Sequence, residues 1–180
     1  SPLGNLHVKS GESGATVDGS ANELVVEGSG NSGISILSGS SSGGQIYFGD
    51  SELNYDGYLA YSHASRNMTL GTAGAGRLNI NSAGNVGIGV TPEASYAGRP
   101  TLRIGSGLAI GGYGSGNPSH HWINANAYQA ASDATEKYIG ADQASQLKQT
   151  NGTFAFNVAP NGTADAAISW TTAMTISNAG

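Results

Sequence analysis

The chain has 180 residues, 29 of them glycine, with no cysteine and a net charge of −5; only 11% of it is charged and 7% aromatic. The missing cysteines exclude disulfides and thiolate metal sites. The seven basic residues are scattered from Lys9 to Lys148 and form no stripe, which argues against nucleic acid and anionic membrane as partners, and no apolar run reaches membrane-spanning length.

Low charge and few aromatics can signal disorder. Here, however, the glycines punctuate regular two-residue alternations, the pattern of half-buried strands. In chain order the pattern predicts strands over residues 23–27, 33–37, 45–49, 57–62 and 67–71. It continues through Leu78/Ile80 and Val86/Ile88/Val90, then 101–105, 108–111, 122–129 and 136–140. Phe154/Phe156 and Met174/Ile176 close the series.

Turn signals fall between these runs: Gly28-Ser29-Gly30, residues 39–44, Asp56-Gly57, 112–118, Asn151-Gly152 and Asn161-Gly162. Asn151-Gly152 ahead of Phe154 is a hairpin signal. One stretch is ambiguous. Asp133 and Glu136 have capping-box spacing and good helix formers follow, so a short helix competes there with a polar hairpin; the thin apolar supply favours the hairpin.

The chain also repeats. At an offset of 96 residues, Leu6-His7-Val8 falls on Leu102-Arg103-Ile104, Leu78-Asn79-Ile80 on Met174-Thr175-Ile176, and Tyr58 on Phe154. The expected organisation is a first β-rich module over 1–84, a linker over 85–100 and a related second module over 101–180. The phrase Asn81-Ser-Ala-Gly-Asn-Val-Gly-Ile-Gly-Val-Thr-Pro92 closes one module and opens the next. Its first half returns at 176–180, and its last half is echoed at Ser1-Pro2, so a segment of a longer array is expected. Large apolar side chains are few, and glycine is costly to order, so burial pooled between several chains is expected. The glycines of Val86-Gly-Ile-Gly-Val90 fit close approach by neighbouring chains around an axis, or else a plain bend.

Candidate binding residues cluster in two places. Asp50, Glu52, Asn54 and Asp56 form an acidic run among Tyr47, Tyr55, Tyr58 and Tyr61. Glu52-x-Asn54-x-Asp56-Gly57 echoes a calcium loop faintly, but the twelfth position is His63, so a solvated turn is preferred and no metal is assigned. Paired carboxylates also suit glycoside hydrolysis, whereas tyrosines suit saccharide or protein surfaces, or a scarce core. His120-His121-Trp122 follows a glycine-rich loop containing Tyr113. Adjacent histidines point to opposite faces of a strand, which argues against a shared metal within one chain. No nucleophile elbow or phosphate loop is present. The candidate surface-contact residues are Asp50, Glu52, Tyr55, Asp56, Tyr58, Tyr113, His120 and His121, and exposed loops are expected at 39–44, 50–57 and 111–121. No catalytic residue, metal or cofactor is assigned.

The phrase from Asn81 to Pro92 resembles the linker of bacteriophage tail fibres that end in a self-cleaving intramolecular chaperone. Trp122-Ile-Asn-Ala-Asn-Ala-Tyr128, Tyr138-Ile-Gly140, Gly152-Thr-Phe-Ala-Phe156, Ala167-Ile-Ser-Trp170 and Met174-Thr-Ile176 resemble a module common in such fibres. The resemblance implies an all-β, intertwined parallel homotrimer of β-prism, β-helix or sandwich-like modules in the distal tail of a virion. It implies adjoining fibre segments, a chaperone absent from these residues, and a bacterial surface saccharide or outer-membrane protein as receptor. A capsule-degrading tailspike fragment and a bacterial trimeric adhesin stalk are the alternatives. A coiled-coil heptad would mark the adhesin, and none is present.

Overall fold

The computed structural model describes residues 5–93, 99–112, 120–130 and 135–179. Among them the chain is all-β and holds no helix. It divides into two compact units, Ser1–Leu37 and Ser38–Gly180.

In the first unit, β1 (Leu6–Lys9) and β2 (Leu24–Glu27) pair in parallel, Leu6 opposite Leu24 and Lys9 opposite Glu27. A parallel pair requires a long crossover, which residues 10–23 supply. Glu27 anchors that crossover: its buried carboxylate accepts from the Ser13 N–H at 2.8 Å and the Ser13 hydroxyl at 2.9 Å. His7 Nε2 lies 2.9 Å from the other carboxylate oxygen. These donors, the Ser13 N–H foremost, hold the Glu27 carboxyl below its ordinary pKa.

The second unit is built on one sheet of eleven strands. In chain order they are β3 (Gly43–Phe48), β4 (Gly57–Ser62), β5 (Asn67–Thr72), β6 (Ala75–Ile80), β7 (Val86–Ile88), β8 (Thr101–Ile104), β9 (Leu108–Gly112), β10 (His120–Ala125), β13 (Ala144–Thr150), β14 (Thr153–Ala159) and β15 (Thr171–Ile176). Each pairs with its predecessor in that series. All pairs are antiparallel except β7–β8. A separate hairpin-like pair, β11 (Ala127–Gln129) and β12 (Glu136–Tyr138), leaves the chain between β10 and β13.

Two turns set the register. Asn151 (φ 50°) and Gly152 (φ 76°) join β13 to β14 with Thr150 opposite Thr153, the left-handed pair that the hairpin signal requires. Ala73 (φ 51°) and Gly74 (φ 65°) do the same between β5 and β6, from a less obvious sequence.

Several expected strands differ in detail. Residues 122–129 are two strands, because Asn126 (φ 55°) breaks the run and sends β11 into a different sheet. The stretch weighed between helix and hairpin is extended, but β12 and β13 join different sheets, so no hairpin forms between them. Val90 leaves its strand, because Gly89 (φ 67°) turns the chain back. That turn also corrects the reading of Gly87. A Cβ there would stand 2.2 Å from the Val90 carbonyl oxygen and 2.8 Å from Pro92 Cδ, so the close approach comes from the chain's own return, not from a neighbouring chain. Residues 33–37 join no ladder among the described residues.

The repeat has a structural echo. Displaced by 96 residues, β4 begins where β14 begins, and β6 coincides with β15. The linker segment itself supplies β7, hydrogen-bonded to β6 and β8. Asn85 clasps that region: its side-chain oxygen accepts from the Thr101 N–H at 3.1 Å, and its amide donates to the Glu93 carbonyl at 3.1 Å.

Candidate functional site

Cross-strand partners share a face of a sheet, so the registers show what each face carries. Ile46, Leu59, Leu70, Leu78, Ile88, Ile104 and Leu108 stand opposite one another in one row from β3 to β9. Two residues along, on the same face, a second row runs from β4 to β15: Tyr61, Met68, Ile80, Val86, Leu102, Ile110, Ile123, Leu147, Phe156 and Met174. Phe154 and Ile176 begin a third. None of these side chains is buried; Ile110 is 39% exposed, Ile123 45% and Met174 49%.

The opposite face is polar and, over the C-terminal half, buried. There Arg103, Ala109, Asn124, Gln146, Asn157 and Thr172 stand opposite one another in turn. The Asn157 amide donates to Gln146 at 2.8 Å, the Gln146 amide to Glu136 at 2.6 Å, and the Thr172 hydroxyl to Asn157 at 2.9 Å. The Trp170 indole N–H donates to the second Glu136 oxygen at 2.6 Å. Arg103, 3% exposed on its side chain, pairs with Glu93 at 3.0 Å. The small apolar core lies on this side: Ala127, Tyr138, Ala144 and Ala159, with Ala166, Ile168 and Trp170 against them. Trp122 is buried on this face as well, but alanine makes up most of the buried apolar set, and apart from Trp122 and Tyr138 no large apolar residue is buried among the described residues.

The energetics follow. Burying the exposed half of a Leu, Ile or Phe side chain yields about 1 kcal/mol. Summed over the rows, covering this face is worth on the order of 10 kcal/mol per copy, comparable with the cost of association, roughly 4–15 kcal/mol. Contiguous exposed apolar surface on this scale marks an interaction site.

The sequence-derived contact residues divide between two places. Asp50, Asp56 and Tyr58 line a cavity of about 580 Å³ with Phe48, Leu70 and Arg77, at one end of the apolar rows. Asp50 is committed to its own loop: its carboxylate accepts from the Leu53 N–H at 2.9 Å and the Glu52 N–H at 2.8 Å, which lowers its pKa. Glu52 and Tyr55 are exposed on the same loop, and the Tyr55 ring lies 6.2 Å from that of Tyr47. Tyr58 packs across its neighbour strand, where a Cβ on Gly71 would stand 2.0 Å from the phenol ring. That contact makes Tyr58 a structural residue of the polar face.

His120 and His121 lie at the end of β10 beside a second cavity of about 260 Å³, lined also by Gln129, Glu136, Lys148 and Thr150. His121 stands opposite Gly112 and Gln149, and His120 opposite Thr150, so the two side chains take opposite faces as expected. Tyr113 lies outside the described residues. No group of three metal-ligating side chains gathers among the described residues.

Sequence reasoning passed over Arg77. The register shift beside Leu70/Gly71 leaves it as the extra residue of a bulge, donating from Nε to the Thr72 carbonyl at 3.3 Å. The general uncovered face was legible as alternation. Its continuity across strands was not, because it depends on pairing order. No family model matches the chain, and no curated protein matches it either.

Proposed function

We propose that the chain is a structural and host-attachment segment of a phage tail fibre, working as a homotrimer. Three copies bury their apolar faces against one another in an intertwined, prism-like arrangement. The loop 50–57 and the His120–His121 end of β10 meet a bacterial surface saccharide or outer-membrane protein. Weak sites in triplicate give firm attachment by avidity. The segment extends the fibre and performs no catalysis.

The observation that carries this reading is the pair of apolar rows running uncovered across the sheet. A chain that leaves most of its large apolar residues on an open face, and buries asparagine, glutamine and alanine around Trp122 and Tyr138, is suited to self-association. The resemblance of residues 81–92 and 122–176 to fibre sequences supplies the biological setting.

The test is binding of labelled protein to a panel of bacterial cells, comparing the wild type with Ile123→Asp/Phe156→Asp at equal chain concentration. Retention of the wild type on some cells, with at least tenfold loss in the variant, is the expected result. Equal retention of both, or of neither on any cell, contradicts the attachment role.

A further inference from the structure

Residues 33–37 read Gly-Ile-Ser-Ile-Leu, a two-residue alternation as regular as any in the chain. Yet this segment joins no ladder among the described residues, and Ile34, Ile36 and Leu37 are 67%, 46% and 91% exposed. A strand without a ladder partner is costly to order. Fixing each residue's backbone costs about 1–2 kcal/mol, and an unpaired strand recovers neither ladder hydrogen bonds nor cross-strand contacts.

The second unit presents the complementary feature. Among the described residues β15 pairs with β14 alone, so its other edge is open. Edge strands are normally guarded by charges, proline or bulges that turn the edge away. The β15 sequence, Thr-Thr-Ala-Met-Thr-Ile, has no charge, proline or glycine, and every residue of it is exposed; its one irregularity is a bulge that leaves Ala173 without a partner on β14, while Met174 and Ile176 beyond it keep regular register. Met174 and Ile176 end two of the apolar rows at that edge. An incoming strand bearing isoleucines two residues apart continues both rows by one position each.

We propose that residues 33–37 are a donated strand, added by hydrogen bonding to the open edge of β15 in a second copy of this chain. The inference rests on the self-association proposed above and assigns the segment that links one copy to the next. The edge of β3 is the less suitable acceptor, because it begins Gly43-Gly44 and offers no side chain to the row that Tyr61 and Met68 continue. Backbone bonds supply affinity in such strand addition, and alternate side chains supply register.

The absence of cysteine makes the test clean. Single cysteines at Ile34→Cys or Ile36→Cys are combined with Met174→Cys or Ile176→Cys in the full chain and oxidised. Neighbouring strands place paired Cβ atoms within disulfide reach. At least one combination is expected to give covalent multimers on a non-reducing gel, while Ile36→Cys with Ile46→Cys on β3 does not. Amide exchange at 33–37 is expected to be protected in the assembled protein and to lose that protection on dilution. Cross-linking confined to a single copy overturns the proposal. So does exchange at free-chain rates in an assembled protein, which leaves the self-association itself standing. A wild-type chain that stays monomeric overturns both.

Discussion

Ile123 and Asn124 are adjacent in sequence and opposite in environment: Asn124 is fully buried, and Ile123 is 45% exposed. Across the strands Ile110 is likewise exposed and Leu147 half-buried beside Ile123, whereas Gln146 and Ala109 are buried beside Asn124. A water-soluble sheet with one covered face normally covers the apolar one. Over its C-terminal half this sheet covers the polar face with its own chain and leaves the apolar face for something else.

Charges introduced into the middle of that face should therefore act on assembly and leave the fold in place. In Ile123→Asp, Phe156→Asp and Met68→Asp, the side chain is already partly in water in the single copy. Each is expected to lower the assembled mass toward 18.0 kDa while the far-ultraviolet β signal is retained. Sedimentation velocity across a dilution series reads the outcome.

Gly71 and Tyr58 make an opposite case. The phenol ring occupies the space a side chain at Gly71 needs, with a Cβ only 2.0 Å from a ring carbon. Gly71→Ala is expected to destabilise the fold by about 1–3 kcal/mol, the usual cost of overpacking. Adding Tyr58→Ala should return part of that loss. Denaturant melts of the two single variants and the double variant give the coupling directly.

The Asn151-Gly152 turn offers a third test. Gly152 sits at φ 76°, where a side chain adds roughly 1 kcal/mol of strain. Gly152→Ala is expected to lower stability by about that amount, whereas Gly107→Ala, on the turn between β8 and β9 with open space around it, costs less. Thermal melts of the pair discriminate them.

Asp50 and Glu27 set the acid limit. Both carboxyls are held below their ordinary values, Asp50 by the Leu53 and Glu52 N–H groups and Glu27 by Ser13. A folded-state pKa below the unfolded one contributes stability that is fully present above the unfolded value. It is lost as pH falls through the folded one. Melting temperature should be level from neutrality to about pH 5 and drop below about pH 4. Asp50→Asn should melt lower at neutral pH and show a shallower acid decline.

Much of this architecture was written in local pattern. Residues 57–62 and the Asn151-Gly152 hairpin are read from alternation and from one turn dipeptide, because both depend only on near neighbours in sequence. The break at Asn126 was illegible, because an alternating run continues straight through it and only the diversion of β11 into a second sheet explains it. Gly87 was legible as a point of close approach but not as to its partner, since the Gly89 turn that brings Val90 back is a tertiary event. Among the candidate contacts, Asp50 and Tyr58 are chemically apt for a ligand yet engaged by the chain itself. Composition alone cannot separate such residues from those free to meet a receptor.

The central claim is that the apolar face is closed by further copies of the same chain. Light scattering coupled to size exclusion tests it most directly. The account predicts a species near three times 18.0 kDa that dissociates when the face is charged. A single species at 18.0 kDa with a cooperative melt would contradict it.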